Sequence, residues 1–187
     1  MSLDKALFQK VANRGKPPEA FLNELIAWAN QASDSVFSPN KRIDIYSLTA
    51  AELGPWQSLV HRKAAMCEVL RVLAGFESSW RWSEGKDTNN PAENSTETES
   101  AGIFQVSPNS RFLDDSLMSF ARANRADKPE QFRKTMMTNH NFAFDYTARL
   151  LRVNLRHNGP VKRGEILPWL KRDAVAAFES QLEGAMV

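Results

Sequence analysis

Glu77 closes an apolar helical pattern: in LAGFESSWRW, Leu73 to Trp82, a carboxylate stands between Phe76 and Trp80. Leu70, Leu73 and Glu77 are separated by three and then four residues, so they leave a helix on one side and Glu77 points the way the core points. Unpaired carbonyls at a helix C-terminus repel an added negative charge, and aromatic neighbours strip water from a carboxyl. Both effects raise its pKa. A carboxylic acid that keeps its proton near neutral pH is what a general acid must be, because it hands that proton to a leaving oxygen. The same spacing also fits a Glu77 that ends at the surface or pairs with Arg81 four residues on.

A polar run follows, and then Gly102-Ile103-Phe104-Gln105-Val106. Glu77-Ser78 at a helix end, a polar lobe and this Gly-apolar-apolar-Gln-aliphatic string together resemble the lysozyme-like superfamily, in particular goose-type lysozymes and soluble lytic transglycosylases. The resemblance covers Val69 to Ser107, with echoes in NFAFDYTARLL from Asn141 and HNGP from His157, and does not extend before Lys41. It departs at Asp145, where a small residue is usual, and at Asn158, which no Tyr precedes. It implies a mainly α, lysozyme-like α+β fold: a helical domain with a small polar or β lobe bordering a substrate cleft. The implied activity is cleavage of the β-1,4 bond between N-acetylmuramic acid and N-acetylglucosamine in peptidoglycan, without a cofactor. Glu77 is then the acid, Gln105 lies in the sugar-binding groove, and Asn141 and Asn158 are substrate contacts.

Simple hydrolysis needs a second carboxylate, about 5 Å away if configuration is retained and roughly 6.5 to 9.5 Å away if a water must fit between. The polar run offers Glu84, Asp87, Glu93, Glu97 and Glu99. Asp87 is favoured, because EGKDTNN reads as a turn able to return a short side chain over Glu77, with Glu99 in reserve. If neither comes near, Glu77 serves as acid and then base, the sugar's own hydroxyl attacks, and an anhydro product forms, as in lytic transglycosylases. Trp80 and Trp82 alternate as on an extended segment, so one of them, Trp80 first, is a candidate for stacking on sugar. Ser78 and Ser100 read first as turn or cap residues, with hydrogen bonding to substrate, Ser100 foremost, as the alternative.

These groups need elements to hold them. SLDKALFQKVANR and PPEAFLNELIAWANQA read as paired amphipathic helices, the second opened by Pro17 and Pro18 with Phe21, Leu25, Trp28 and Ala32 on one side. Thr49 with Glu52 three residues later predicts a capping box, and Pro55 an interruption before a long helix from Gln57 to Phe76. Ser83 to Ser100 is almost free of apolar residues and rich in Asn, Ser and Thr, which favours a lobe of turns. Helices are then expected over Leu113 to Asn124, Pro129 to Met137, Phe142 to Arg156 and Leu167 to Glu183. The expected organisation is one domain, 1–187, with an N-terminal helical extension (1–45) and a catalytic core (46–187).

The 187 residues carry a formal net charge of +2, too mild to diagnose a nucleic-acid binder. Arg149, Arg152 and Arg156 at helical spacing still leave open a helical nucleic-acid module, or a lysozyme-like scaffold that holds glycan without cutting it. Cys67, among apolar helical residues, reads as a buried thiol. No His-Glu-x-x-His pattern is present, and Pro91 and Ala92 stand where a calcium loop needs an oxygen ligand and a glycine, so no metal is expected. The N-terminal residues lack the apolar core of a secretory signal and no run is long enough to span a bilayer, so membrane insertion is not expected. The expectation is a bacterial protein made in the cytoplasm that acts on the cell wall, an antibacterial effector of the type VI secretion kind or a phage-type lysin. An effector implies a cognate inhibitor, or immunity protein, that plugs the cleft.

Overall fold

Every residue of the long central helix from Ala64 to Gly75 is buried, so this helix has no solvent face over three turns and the remaining elements wrap it. The protein is described by a computed structural model over residues 3–40, 43–54 and 58–183. In chain order its helices are α1 (Glu19–Gln31), α2 (Ile45–Leu53), α3 (Leu59–Ser78), α4 (Asp115–Ala123), α5 (Pro129–Thr138), α6 (His140–Val153), α7 (Gly159–Lys162) and α8 (Arg172–Glu183). Short 3-10 turns at Lys5–Phe8, Asp34–Phe37, Pro108–Phe112 and Leu167–Trp169 join them. The fold is mainly helical. Helix α8 runs along α3, α1 and α6 pack on its other sides, and α4 and α5 reach the core through α6.

Leu7, Val11, Phe21, Leu22 and Leu25 share one buried cluster with Leu70, Leu73, Phe104 and Phe144. The N-terminal segment thus contributes to the same core as the central helix. Two charged residues interrupt the apolar content of α3: Glu68 and Arg71 are both wholly buried and paired through two bonds of 2.6 and 2.8 Å. The Arg71 guanidinium also donates to the Gln9 carbonyl, and Glu68 accepts the Lys171 amide, so the pair ties both chain ends to the middle of α3.

Several expected elements differ. The first expected helix forms only over Lys5–Phe8, capped by Asp4, because the chain then turns tightly, with Val11 bonded to Gly15 and both Ala12 and Gly15 at positive φ. This first turn packs on α8 instead of pairing with α1. Asp44, not Thr49, caps α2: its carboxylate accepts the Ser47 amide and Ser47 returns the bond. Thr49 is buried within the helix, its hydroxyl donating to Ile45. Pro55 and Gln57 lie outside the described residues; the first described cap of α3 is Ser58, which accepts the His61 amide. Between α3 and Pro108 the chain forms a polar lobe of turns. A β lobe is not formed: among the described residues this segment has no strand, only the isolated bridge of Ala101 with Val106. Asp, Asn and Thr side chains in it bond neighbouring backbone, as Asp87 does to Asn89, Asn90 to Ala92 and Thr98 to Ser95, which favours turns over a ladder.

Candidate active site

Helix α3 ends immediately after Glu77, and its end is fixed by the next two residues. Ser79 and Trp80 both adopt left-handed backbone, φ 53° and 61°, and their amides turn back to the carbonyls of Gly75 and Ala74. The Trp80 ring folds under the helix, where its Nε1 donates to the Arg71 carbonyl at 3.0 Å. Gly75 makes room for it, since a Cβ there would lie 2.8 Å from the ring. Ser78 joins the two sequence motifs: its hydroxyl donates to the Ile103 carbonyl at 2.8 Å. The string from Gly102 to Val106 is thereby pinned beside Glu77.

Gly102 has φ 75°, and a Cβ on it would sit 2.6 Å from the Met136 carbonyl, so the backbone there accepts no side chain. The close approach anchors the lobe to α5. Gln105, also at positive φ, donates from its amide to the carbonyls of Gly102 (2.9 Å) and Glu84 (3.3 Å). Its side chain therefore staples the lobe's two ends while lining the groove.

That groove has a volume of about 590 Å³ and opens over Phe76 and Glu77. The lobe supplies one wall with Glu84, Asp87, Glu93, Ser100 and Gln105. His157, Asn158, Arg163 and Glu165 supply another, and Arg14 closes a margin. Burial pushes the Glu77 carboxyl up to about 7, against smaller opposing effects of the Asn158 amide and the Arg163 and Arg14 charges. Asn158 is 2% exposed, with its Nδ2 donating to Phe104 O (3.1 Å) and, at the 3.5 Å limit, to Glu77 Oε1. Arg81 pairs with Glu84 and leaves Glu77 to the groove.

Asp87 lies in the lobe wall, exposed, with its carboxylate accepting the Asn89 amide. It is held there by Glu93, a 6% exposed carboxylate that accepts the Asp87 amide (3.0 Å), the Ser100 amide (3.1 Å) and the Ser100 hydroxyl (2.8 Å). One buried side chain thus fixes both ends of the loop that carries Asp87. Glu93→Gln should cost about 1–3 kcal/mol, since an amide NH2 then faces N–H donors. Urea unfolding checks the loss, and hydrogen exchange should show faster exchange of the Asp87 and Ser100 amides than in the wild type.

Other expected contacts lie elsewhere. Glu99 is bound by Lys86 (3.0 Å) and Arg133 (2.6 Å), with the Lys86 ammonium foremost in holding its carboxyl below the usual range, and it does not line the groove. Trp80 is 6% exposed under α3, so it offers no face to a sugar. Trp82 is stacked on His140 at 3.5 Å and edge-on to Phe144. Asn141 does not line the groove but a small separate pocket with Trp28, Phe120 and Asp145. The first turn of α6 faces α1 there, which is why the likeness of NFAFDYTARLL to a substrate segment does not carry over to position.

His157, Arg14 and Arg163 reach the groove without a signal in their own sequence neighbourhoods that ties them to Glu77. Burial lowers the His157 imidazole to about 4, so it is neutral at pH 7, with its Nε2 3.4 Å from the Ser107 hydroxyl. Among the described residues no three His, Cys, Asp or Glu side chains converge to hold a metal ion, and no helix is long and apolar enough to cross a membrane. A carboxyl raised to about 7, so that much of it still carries its proton near neutral pH, facing an open polar groove with a carboxylate-bearing loop on its wall, can give a proton to an oxygen between two large polar groups. Compared with protein-family models, with curated proteins and with solved structures, the chain matches none.

Proposed function

We propose that the chain is a peptidoglycan-cleaving glycosidase, a lysozyme-like muramidase that cuts between N-acetylmuramic acid and N-acetylglucosamine. The observation that carries this reading is Glu77: a carboxyl raised to about 7 by burial, lining a polar groove of about 590 Å³. Its proton goes to the bridging oxygen as the bond from that oxygen to the anomeric carbon breaks. The positive charge left on the sugar ring is stabilised by the Asp87 carboxylate, and the oxygen of water then closes on the anomeric carbon while its proton returns to a carboxylate. Asn158 keeps the Glu77 side chain oriented, and Gln105 and Ser100 present polar groups along the lobe wall.

Two features weigh against the nucleic-acid alternative. Arg149 is paired with Asp145 and lies over the Phe120 ring, and Arg152 donates to the Ser35 carbonyl. Two of the three arginines at helical spacing are thus spent within the protein.

Digestion of purified sacculi followed by mass spectrometry of the soluble muropeptides tests the proposal. Products with reducing ends indicate water as the attacking group, which is the expected result. Products lighter by one water place the protein with the lytic transglycosylases, and an absence of soluble glycan removes the glycosidase reading.

A further inference from the structure

Among the described residues no carboxylate pairs with Arg14, a cation that lines the groove. Arg163 is held by both carboxylate oxygens of Glu165, at 2.7 and 3.0 Å, and Lys86 is held by Glu99. Among the described residues the Arg14 side chain makes no hydrogen bond or ion pair, although it is exposed in the groove and its charge reaches Glu77. An unpaired guanidinium beside a reaction centre is poised for an anion carried by the substrate.

Its position is built by the fold. The Val11 amide donates to Gly15 and the Arg14 amide to Val11, each at 2.9 Å, which closes a tight turn with Arg14 near its tip. Val11 is wholly buried and seated on α3 at Gly75, where a Cβ would approach the Val11 Cγ1 to 3.1 Å. Because the docking point precedes Glu77 by two residues, the turn delivers Arg14 to the same end of the helix. A solvated arginine on a loose N-terminal arm would have no such restriction.

We propose that Arg14 binds a carboxylate on the substituent of the glycan, so that the groove prefers anionic muropeptide chains to neutral chitin-type chains of the same backbone. The proposal rests on the glycan reading above and adds a selectivity determinant to it. The carboxylate has two sources, the stem peptide or the lactyl group of muramic acid freed of its peptide, and the ligands below separate them.

Wild type, Arg14→Gln and Arg14→Lys are titrated calorimetrically at low salt with three disaccharides. These are N-acetylglucosaminyl-N-acetylmuramyl peptide, the same disaccharide without peptide, and diacetylchitobiose. In the wild type the anionic ligands should bind about fivefold more tightly than chitobiose, as one exposed ion pair allows. That preference should vanish in Arg14→Gln, persist in part in Arg14→Lys, and fade at about 0.5 M salt. Loss confined to the peptide-bearing ligand assigns the carboxylate to the peptide, and loss with both includes the lactyl group. Unchanged affinities in Arg14→Gln, or no binding of any of the three by the wild type, overturn the proposal. Cleavage of sacculi is scored separately: cleavage with Arg14-independent binding sinks only this inference, whereas Arg14-dependent binding without cleavage sinks only the glycosidase reading.

Discussion

Glu77→Gln should lower the rate of glycan release by about 10²–10⁴-fold, the usual worth of a positioned general acid, while leaving glycan affinity nearly intact. The amide occupies the same space and can still accept from Asn158, but it has no proton to give. In the wild type the rate should fall about tenfold per pH unit above pH 7, where the acid form of Glu77 is depleted. The same substitution should stabilise the protein. A carboxyl moved from its ordinary 4.5 to about 7 by burial binds its proton more tightly folded than unfolded. Its effect is therefore neutral below about pH 4.5, and stability erodes as the pH rises from there to about 7, by up to about 3 kcal/mol. Glu77→Gln should thus unfold at a higher temperature than the wild type at pH 8 and at about the same temperature at pH 4. Equal melting temperatures at pH 8, or unchanged cleavage, would remove Glu77 from the assigned role.

Arg71→Met should cost about 3–5 kcal/mol, because it leaves the Glu68 carboxylate buried with no counter-charge. Replacing both, Glu68→Met with Arg71→Leu, should recover most of that loss, since apolar side chains fill the space and no charge remains unpaired. Recovery stays incomplete, because the Lys171 amide and the Gln9 carbonyl lose their partners and each costs about 1 kcal/mol or more. Urea unfolding of the two variants beside the wild type measures these differences. The Trp80 ring donates to the Arg71 carbonyl on the same helix, so damage here also loosens the turn that follows Glu77.

Much of the helical layout was legible because it depends on local spacing. The apolar residues of α3 recur at helical intervals, and its end at the Glu-Ser pair follows from the turn chemistry beyond it. Caps were less legible. Asp44 and Thr49 both suit an N-cap by type, and burial of Asp44 with a reciprocal bond from Ser47 decided between them. The polar lobe was expected from composition, but composition does not distinguish a hairpin from linked turns. That choice lay in side-chain bonds such as Glu93 to the two ends of its own loop.

By itself the sequence determined that Glu77 ends a buried helix, that the Gly-Ile-Phe-Gln string follows a polar lobe, and that one carboxylate-rich segment lies between them. Those features depend on residues near one another along the chain, where periodicity and turn preference act. Only the tertiary structure decided which side chains meet Glu77. Asn158 lies 81 positions away, Arg14 arrives from a turn docked on Gly75, and Trp80 is drawn under the helix instead of into the groove. Such long-range encounters are selected by packing of the whole core, where a ring finds space and a carboxylate finds donors, and no local pattern encodes them.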